Sequence, residues 1–527
     1  MKEFVQRHGS SVIGVLSGFD RLLFRGTLRR IANAAGLASF LRYTGVLLKD
    51  FAAHAEALTE QVKAASLAAA EAAGRPVQYL PDPSVRKEDL ARAIARRDGV
   101  DAGLVCVLSA VEPCWSFEIH RDRAAKRLVL RARRRRCLHL YHYSVHPQLG
   151  FLHARVQTWL PFTVSVCVNG REWLARRMDA AGIGYRRREN CFVDLADVGR
   201  AQALMDGQLT TDWRGVLDGI AAAAHPAHAA LFGPSSGYPI DHYWSVQQSE
   251  WATDVMFRSP KLLSDLYPRL IRQGMETMGS RDVLRFLGRA VPEGRNAHPR
   301  FVGEVVSDLR ERPEGMRLKH AVNGNSVKMY DKQGSVLRVE TTVNQTGEFK
   351  VFRGTEAEPA KRQWRKLRKG VADLHRRAEV SRASNERYLA SMAAVERAAT
   401  VGESLAPLCR PVTRGGVRAR ALRPFDAGDT KLLAAVGRGE FAVNGFRNRD
   451  VRELLLPPGK DDPNDAAARR RRSGQVTRKL RLLRAHGLIR KVPRTHRYLL
   501  TDKGKTLVTL LSAAKDADTK RLTALAA

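Results

Sequence analysis

The chain has 527 residues, with 90 Lys and Arg against 54 Asp and Glu and a formal charge of +36 at pH 7. A hydrophobic content of 44% is ordinary for globular proteins and excludes wholesale disorder. No segment approaches the ~18 consecutive apolar residues of a membrane span. The basic excess predicts a polyanionic partner, for which a phosphate backbone is the usual choice and an anionic membrane surface the rival.

Two further features of the sequence indicate a cytoplasmic protein. The six cysteines lack C-x-x-C spacing, which favours small buried thiols over a zinc site or a disulfide scaffold. The N-terminal residues lack the cleavage-like tail of a secretory signal. The oligomeric state is not indicated by any pattern in the sequence.

The first half of the chain predicts an α+β multidomain protein. Residues 1–102 read as a short strand or hairpin followed by helices, the longest of which is Ala-rich and stops at Gly74. Residues 103–233 predict an α/β domain, because "RLVLRARRRRCLHLYHYSV" alternates and the chain returns as "FLHARVQTW" after the turn-like "HPQLG". We expect an antiparallel sheet that helices cover on one face.

The second half of the chain predicts a mostly helical middle region and a separate C-terminal domain. Residues 234–405 read as mostly helical, with one β-hairpin at 326–352. Residues 406–424 read as a flexible basic linker. Residues 425–527 predict three helices, two short strands and a last helix. In the third helix Val476, Leu480 and Leu483 repeat at the spacing of a core-facing stripe, with Ser473 as the expected N-cap.

The C-terminal segment resembles MarR-like winged helix-turn-helix domains. The shared features are the "LRAHGLI" helix end, the basic hairpin and the "LTDKG" return. The resemblance implies a third helix in the major groove and a wing that contacts the backbone or the minor groove of duplex DNA. A winged helix that serves protein contacts is the alternative. The residues expected to contact DNA are Thr477, Arg478, Arg481 and Arg484 on the helix, and Arg490, Lys491, Arg494 and Arg497 on the wing.

The middle hairpin carries the best candidates for catalysis. Its sequence, "VKMYDKQGSVLRVETTVN", resembles a segment of rolling-circle replication initiators. The pattern suggests a Tyr330 nucleophile, with Asp331 and Glu340 as catalytic carboxylates that hold Mg²⁺. The alternative is a surface hairpin in which an exposed Arg338–Glu340 pair has only a structural role.

A histidine is the third expected metal ligand beside Glu340 and Asp331. His139 is the candidate, and it is also expected to meet His153 across the hairpin. The "HLYH" spacing departs from the His-hydrophobic-His pattern of the initiators and puts His139 and His142 on opposite faces of a strand. Asp20, after an apolar run, is a further candidate carboxylate.

Three functions remain open from the sequence. The first is a regulatory or mobile-element protein that binds double-stranded DNA and needs no cofactor. The second is a Mg²⁺-dependent endonuclease, transposase or initiator-like enzyme. The third is a structured-RNA-binding protein. Trp364, Tyr141 and Tyr143 lie among cations and are expected to stack on unpaired bases, so single-stranded DNA and RNA are further possible partners.

Overall fold

The structure is a computed structural model that describes residues 2–289, 303–393 except 314 and 356, 401–456 except 415, 466–515 and 517. Residues 394–400 of the predicted mostly helical segment and residues 518–527 of the predicted C-terminal segment lie outside this description. Among the described residues, no helix has both the length and the apolar character needed to cross a membrane.

The helices and strands of the described residues alternate along the chain, so the protein is of mixed α/β type. The helices are α1 (Lys2–Arg7), α2 (Ala34–Tyr43), α3 (Phe51–Ala72), α4 (Lys87–Arg97), α5 (Gly170–Ala180), α6 (Val198–Asp206), α7 (Trp213–Ala224), α8 (His228–Phe232), α9 (Pro260–Glu276), α10 (Ser280–Phe286), α11 (Leu374–Met392), α12 (Val401–Leu405), α13 (Ala427–Val436), α14 (Asn448–Leu455), α15 (Ala466–Ala485) and α16 (Asp502–Lys515). The strands are β1 (Val12–Leu28), β2 (Val77–Tyr79), β3 (Gly103–Asp122), β4 (Arg127–His146), β5 (Gly150–Gln157), β6 (Val164–Asn169), β7 (Tyr185–Arg188), β8 (Cys191–Leu195), β9 (His242–Phe257), β10 (Val305–Arg312), β11 (Gly315–Val322), β12 (Asn325–Lys332), β13 (Val336–Val343), β14 (Lys350–Arg353), β15 (Gln363–Lys366), β16 (Val412–Arg414), β17 (Val417–Ala419), β18 (Ile489–Lys491) and β19 (Tyr498–Leu500).

The chain divides into two compact units. The first comprises Met1–Val15, Thr253–Thr341 and Val380–Ala527, and the second comprises Leu16–Ala252 and Thr342–Glu379. These units do not coincide with the predicted segments 1–102, 103–233 and 234–405, because each is assembled from stretches that are distant in sequence. Burial of apolar faces between such distant stretches leaves no local signal at the boundaries.

The second unit contains a large mixed sheet with the strand order β9-β1-β6-β5-β4-β3-β2. Strand β6 pairs antiparallel with β1 and with β5, and β3, β4 and β5 form antiparallel pairs in turn. Strand β2 is parallel to β3, so the expected antiparallel sheet is in fact a mixed one at this edge. Across β3 and β4, the sulfur atoms of Cys114 and Cys137 lie 3.1 Å apart.

The first unit contains the strand order β10-β11-β12-β13, in which β10–β11 and β11–β12 are antiparallel pairs. Helices α9 and α11 pack on these strands. Leu263, Leu266 and Leu270 form the apolar face of α9, at the three- and four-residue spacing of an amphipathic helix. Every residue of β13 is buried.

The predicted mostly helical character of residues 234–405 is wrong, because this region holds strands β9 to β15 as well as helices. Strand β10, for example, has the sequence "VVSDLRER" and is largely exposed. A strand in that position has little need for apolar residues, so the hydrophobic pattern of the sequence understates the strand content.

Candidate nucleic-acid interface

Helices α13 to α16 and strand β18 share one apolar core within the first unit. Helix α15 contributes Val476, Leu480 and Leu483, each no more than 1% exposed, as their spacing predicts. The helix begins at Ala466, well before Ser473, so the predicted cap is wrong and the run of arginines at 469–472 is helical. The helix ends at Ala485, and Gly487, two residues further on, is in the left-handed region at φ 72°, as the "LRAHGLI" helix end predicts.

The face of α15 opposite this core carries a stripe of arginines. Arg478, Arg481 and Arg484 are exposed and repeat every three residues, which places their side chains along one face of the helix. Thr477 does not belong to this stripe. It is half-buried, and its hydroxyl accepts a hydrogen bond from the Asn448 side chain of α14 at 2.9 Å.

A cleft of about 670 Å³ lies between this face of α15 and the β16–β17 hairpin. The hairpin is anchored, because the guanidinium of Arg414 donates to the carbonyl of Arg484, and the His486 ring lies 2.8 Å from the carbonyl of Arg420. Among the described residues, the lining of the cleft includes no acidic side chain. Its seven cations are Arg414, Arg418, Arg420, Arg478, Lys479, Arg481 and Arg484.

The β16–β17 hairpin overturns the prediction of a flexible linker at 406–424, and its two arginines, Arg414 and Arg418, were missed as candidate binding residues. Arg420 follows β17 and forms a bidentate ion pair with Asp429, at 2.6 and 2.7 Å. The sequence "TRGGVRAR" does carry a signal, since a Gly-Gly pair between alternating residues is typical of a tight hairpin. Leu408 and Leu422 on either side are buried, at 0% and 1% exposure, so the segment packs on the core.

The β18–β19 hairpin presents a second group of cations. Its strands pair antiparallel, and Arg490, Lys491 and Arg494 are exposed. Arg494 lies at the turn with φ 57°, in the left-handed region. Arg497 is half-buried and donates to the backbone carbonyl of Asn444 at 2.9 Å, so it supports the base of the hairpin.

The predicted catalytic hairpin is strands β12 and β13, and it is not a surface feature. Glu340 is 3% exposed, and its carboxylate accepts a hydrogen bond of 2.6 Å from the ammonium of Lys328. Arg338 is 1% exposed and forms a bidentate ion pair with Asp254, at 2.6 and 2.9 Å. The expected exposed Arg338–Glu340 pair is therefore wrong in both its burial and its partners.

Tyr330 and Asp331 also end in different surroundings from those expected. Tyr330 is 9% exposed, and Asp331 follows it in β12, so the two side chains point to opposite faces of the strand. Burial raises the pKa of Asp331 above its ordinary value. Among the described residues, Asp331 belongs to no group of three or more side chains arranged to hold a metal ion.

His139 lies in β4 of the second unit. Among the described residues it also belongs to no group of three or more side chains arranged to hold a metal ion. The expected contact with His153 is wrong, because the register places His139 opposite Gln157 and His153 opposite Tyr143. Burial lowers the pKa of His139 to about 4. A neutral imidazole 3.2 Å from the carbonyl of Cys137 fits a structural role.

Asp20 lies close to a second carboxylate of the second unit, that of Glu250. A carboxylate oxygen of Asp20 and one of Glu250 lie within 4.8 Å of each other. Asp20 also accepts a hydrogen bond of 2.8 Å from Asn190 and pairs with Arg171 at 3.3 Å. Two carboxylates at this spacing are suited to a shared divalent cation, and the buried guanidinium of Arg171 neutralises part of their charge without one.

The three aromatics expected to stack on bases differ in exposure. Tyr141 and Tyr143 are buried, at 8% and 2% exposure, and the Tyr141 hydroxyl donates to Glu112 at 2.7 Å. Their predicted role in base stacking is therefore wrong. Trp364 is 68% exposed on β15, and Phe352 opposite it on β14 is 54% exposed.

Comparison with known protein families, curated proteins and solved structures finds no match to this chain.

Proposed function

We propose that the chain binds double-stranded DNA, with α13 to α16 and the β18–β19 hairpin acting as a winged helix-turn-helix module. The observation that carries the proposal is the exposed stripe of Arg478, Arg481 and Arg484 on α15, opposite the core of that helix. A helix of 20 residues extends for about 30 Å, which is ample for a major-groove contact.

The charges around α15 support duplex DNA as the ligand. Residues 410–527 hold 28 basic and 11 acidic residues, a net charge of +17. The β18–β19 cations suit phosphates on one flank of the helix, and the arginines of the β16–β17 hairpin suit phosphates on another. Phosphate contacts fix the register of a protein on DNA, whereas arginines that reach the groove read base edges.

Titration of the full chain with labelled duplexes at several salt concentrations tests the proposal. With about six phosphate contacts, the affinity should fall on the order of a thousandfold between 50 and 200 mM salt. Arg478→Ala and Arg481→Ala should reduce discrimination between sequences, because a bidentate base contact contributes roughly 1–3 kcal/mol. Arg494→Ala should weaken binding to all sequences about equally.

The matched control is Arg272→Ala, which removes an exposed cation of α9 in the same unit. It should leave both affinity and sequence preference unchanged. Binding that is independent of salt, or equal effects from the α15 and α9 substitutions, would refute a DNA-binding role for α15.

A second candidate function is Mg²⁺-dependent DNA cleavage, which the Asp20–Glu250 pair favours. Glu250→Gln is the preferred variant, because Glu250 is half-buried whereas Asp20 also neutralises the buried Arg171. If the pair holds a catalytic cation, Glu250→Gln should abolish Mg²⁺-dependent nicking and leave duplex affinity intact. Nicking that persists in this variant would exclude the pair as the metal ligands.

A further inference from the structure

The β14–β15 hairpin of the second unit turns an aromatic pair towards solvent. Phe352 and Trp364 are directly opposed cross-strand partners, with ring centroids 5.6 Å apart and planes at 57°. More than half of each side chain is exposed. Two large aromatics left together at a surface usually mark a site of interaction, because their burial would otherwise stabilise the fold.

The other face of the hairpin holds it in place. Val351 and Arg353 alternate with the exposed aromatics and are buried, at 6% and 7% exposure. The Arg353 guanidinium donates to the carbonyls of Gly354 and Lys366, each at 3.2 Å. Both strands are thereby tied together beneath the aromatic pair, which gives the pair a fixed orientation.

The hairpin face that carries the aromatic pair also carries cations. Lys350 and Lys366 are directly opposed, both are exposed, and each lies two residues from one of the aromatics. Like charges at opposed positions destabilise a hairpin unless an anion neutralises them. Residues 350–369 hold eight basic and two acidic residues, so this stretch of the chain favours an anionic ligand.

We propose that this face binds an unpaired nucleic-acid strand. Bases stack on Phe352 and Trp364, while Lys350 and Lys366 contact the phosphates that flank those bases. Aromatic rings flanked by cations are the usual means of binding single strands without sequence preference. The site is distinct from the arginine stripe of α15, and its ligand exposes base faces that a duplex keeps stacked.

Fluorescence anisotropy of the full chain with labelled oligothymidylate tests the proposal. Phe352→Leu and Trp364→Leu keep an apolar side chain but remove the aromatic face, and each should weaken single-strand binding about tenfold or more. Trp364→Tyr keeps an aromatic ring and should retain most of the affinity. The matched control is Tyr79→Leu, which changes another exposed aromatic, 54% exposed, of the same unit.

Two further measurements distinguish base stacking from phosphate binding, and DNA from RNA. An oligonucleotide with abasic positions should bind the native chain as weakly as the leucine variants bind the intact strand, because only the bases stack. Oligouridylate distinguishes RNA from DNA, and preference for either still supports the site.

Three results would overturn the proposal. One is unchanged single-strand affinity in both leucine variants, which would show that the face is not used or that any apolar contact suffices. Another is an equal loss in Tyr79→Leu. The third is a parallel loss of duplex affinity, which would assign the effect to the duplex-binding surface or to the fold. Failure of duplex binding alone would leave this site standing.

Discussion

Removal of one partner of the Lys328–Glu340 ion pair should strongly destabilise the first unit. The side chains are 12% and 4% exposed, and their charged atoms are 2.6 Å apart. Burial alone would raise the pKa of Glu340, but the charges of Lys328 and Arg338 lower it below its ordinary value, so the carboxylate is ionised. Glu340→Gln removes the negative charge that Glu340 presents to the Lys328 ammonium, and removing one partner of a buried pair costs about 3–5 kcal/mol.

The assay has to report on the first unit alone. All seven tryptophans of the chain lie in the second unit, so their fluorescence does not monitor β12 and β13. Hydrogen exchange of peptides that contain these strands, measured by mass spectrometry in increasing urea, gives the local free energy of unfolding. The double variant Lys328→Met with Glu340→Gln removes both charges and should recover most of the loss.

The control is Asp265→Asn, which breaks the Lys261–Asp265 pair of α9. Those side chains are 82% and 60% exposed, and an exposed pair contributes no more than about 1 kcal/mol. If Glu340→Gln costs no more than Asp265→Asn, or if the double variant is no more stable than the single one, the pair is not the buried interaction inferred here.

Three further perturbations have defined outcomes. Burial lowers the pKa values of His225 and His242 to about 3, so the unfolded chain binds more protons below pH 6.5. Thermal unfolding followed by tryptophan fluorescence should therefore show that the protein becomes less stable as the pH is lowered below 6.5. The loss should be about 1.4 kcal/mol per pH unit per histidine, and smaller in His225→Leu. Mild oxidation should join Cys114 to Cys137, with a loss of two thiols in a thiol titration and none in Cys114→Ser. If Tyr330 is a nucleophile, a covalent protein–DNA adduct should form with the native chain and be absent in Tyr330→Phe.

The sequence predicted those parts of the C-terminal segment that depend on local periodicity and turn chemistry. Val476, Leu480 and Leu483 are buried because they repeat along one face of a helix, and Gly487 ends that helix because glycine tolerates a positive φ. The β16–β17 hairpin was missed, since its prediction as a linker gave weight to composition and not to the Gly-Gly turn.

The surroundings of Glu340 were not predictable from its own strand. Alternation in "LRVETTV" suggests one buried and one exposed face, yet the whole strand is buried. Both faces are covered when a strand lies inside a sheet and helices pack against it, and its charged residues must then find partners elsewhere in the chain. The partner of Arg338 is Asp254, which is 84 residues away in sequence.

The aromatic residues of β4 and β15 show why exposure depends on pairing between distant strands. "RRRRCLHLYHY" and "RQWRK" both combine aromatic with basic residues, and the sequence gives both the same interpretation. In β4 the register with β5 begins at His139, so Tyr141 and Tyr143 lie between two neighbouring strands, β3 and β5. Their rings pack against one another and against His153. Among the residues that the structure describes, β15 pairs only with β14, so no third strand lies beside Trp364 and its side chain stays exposed.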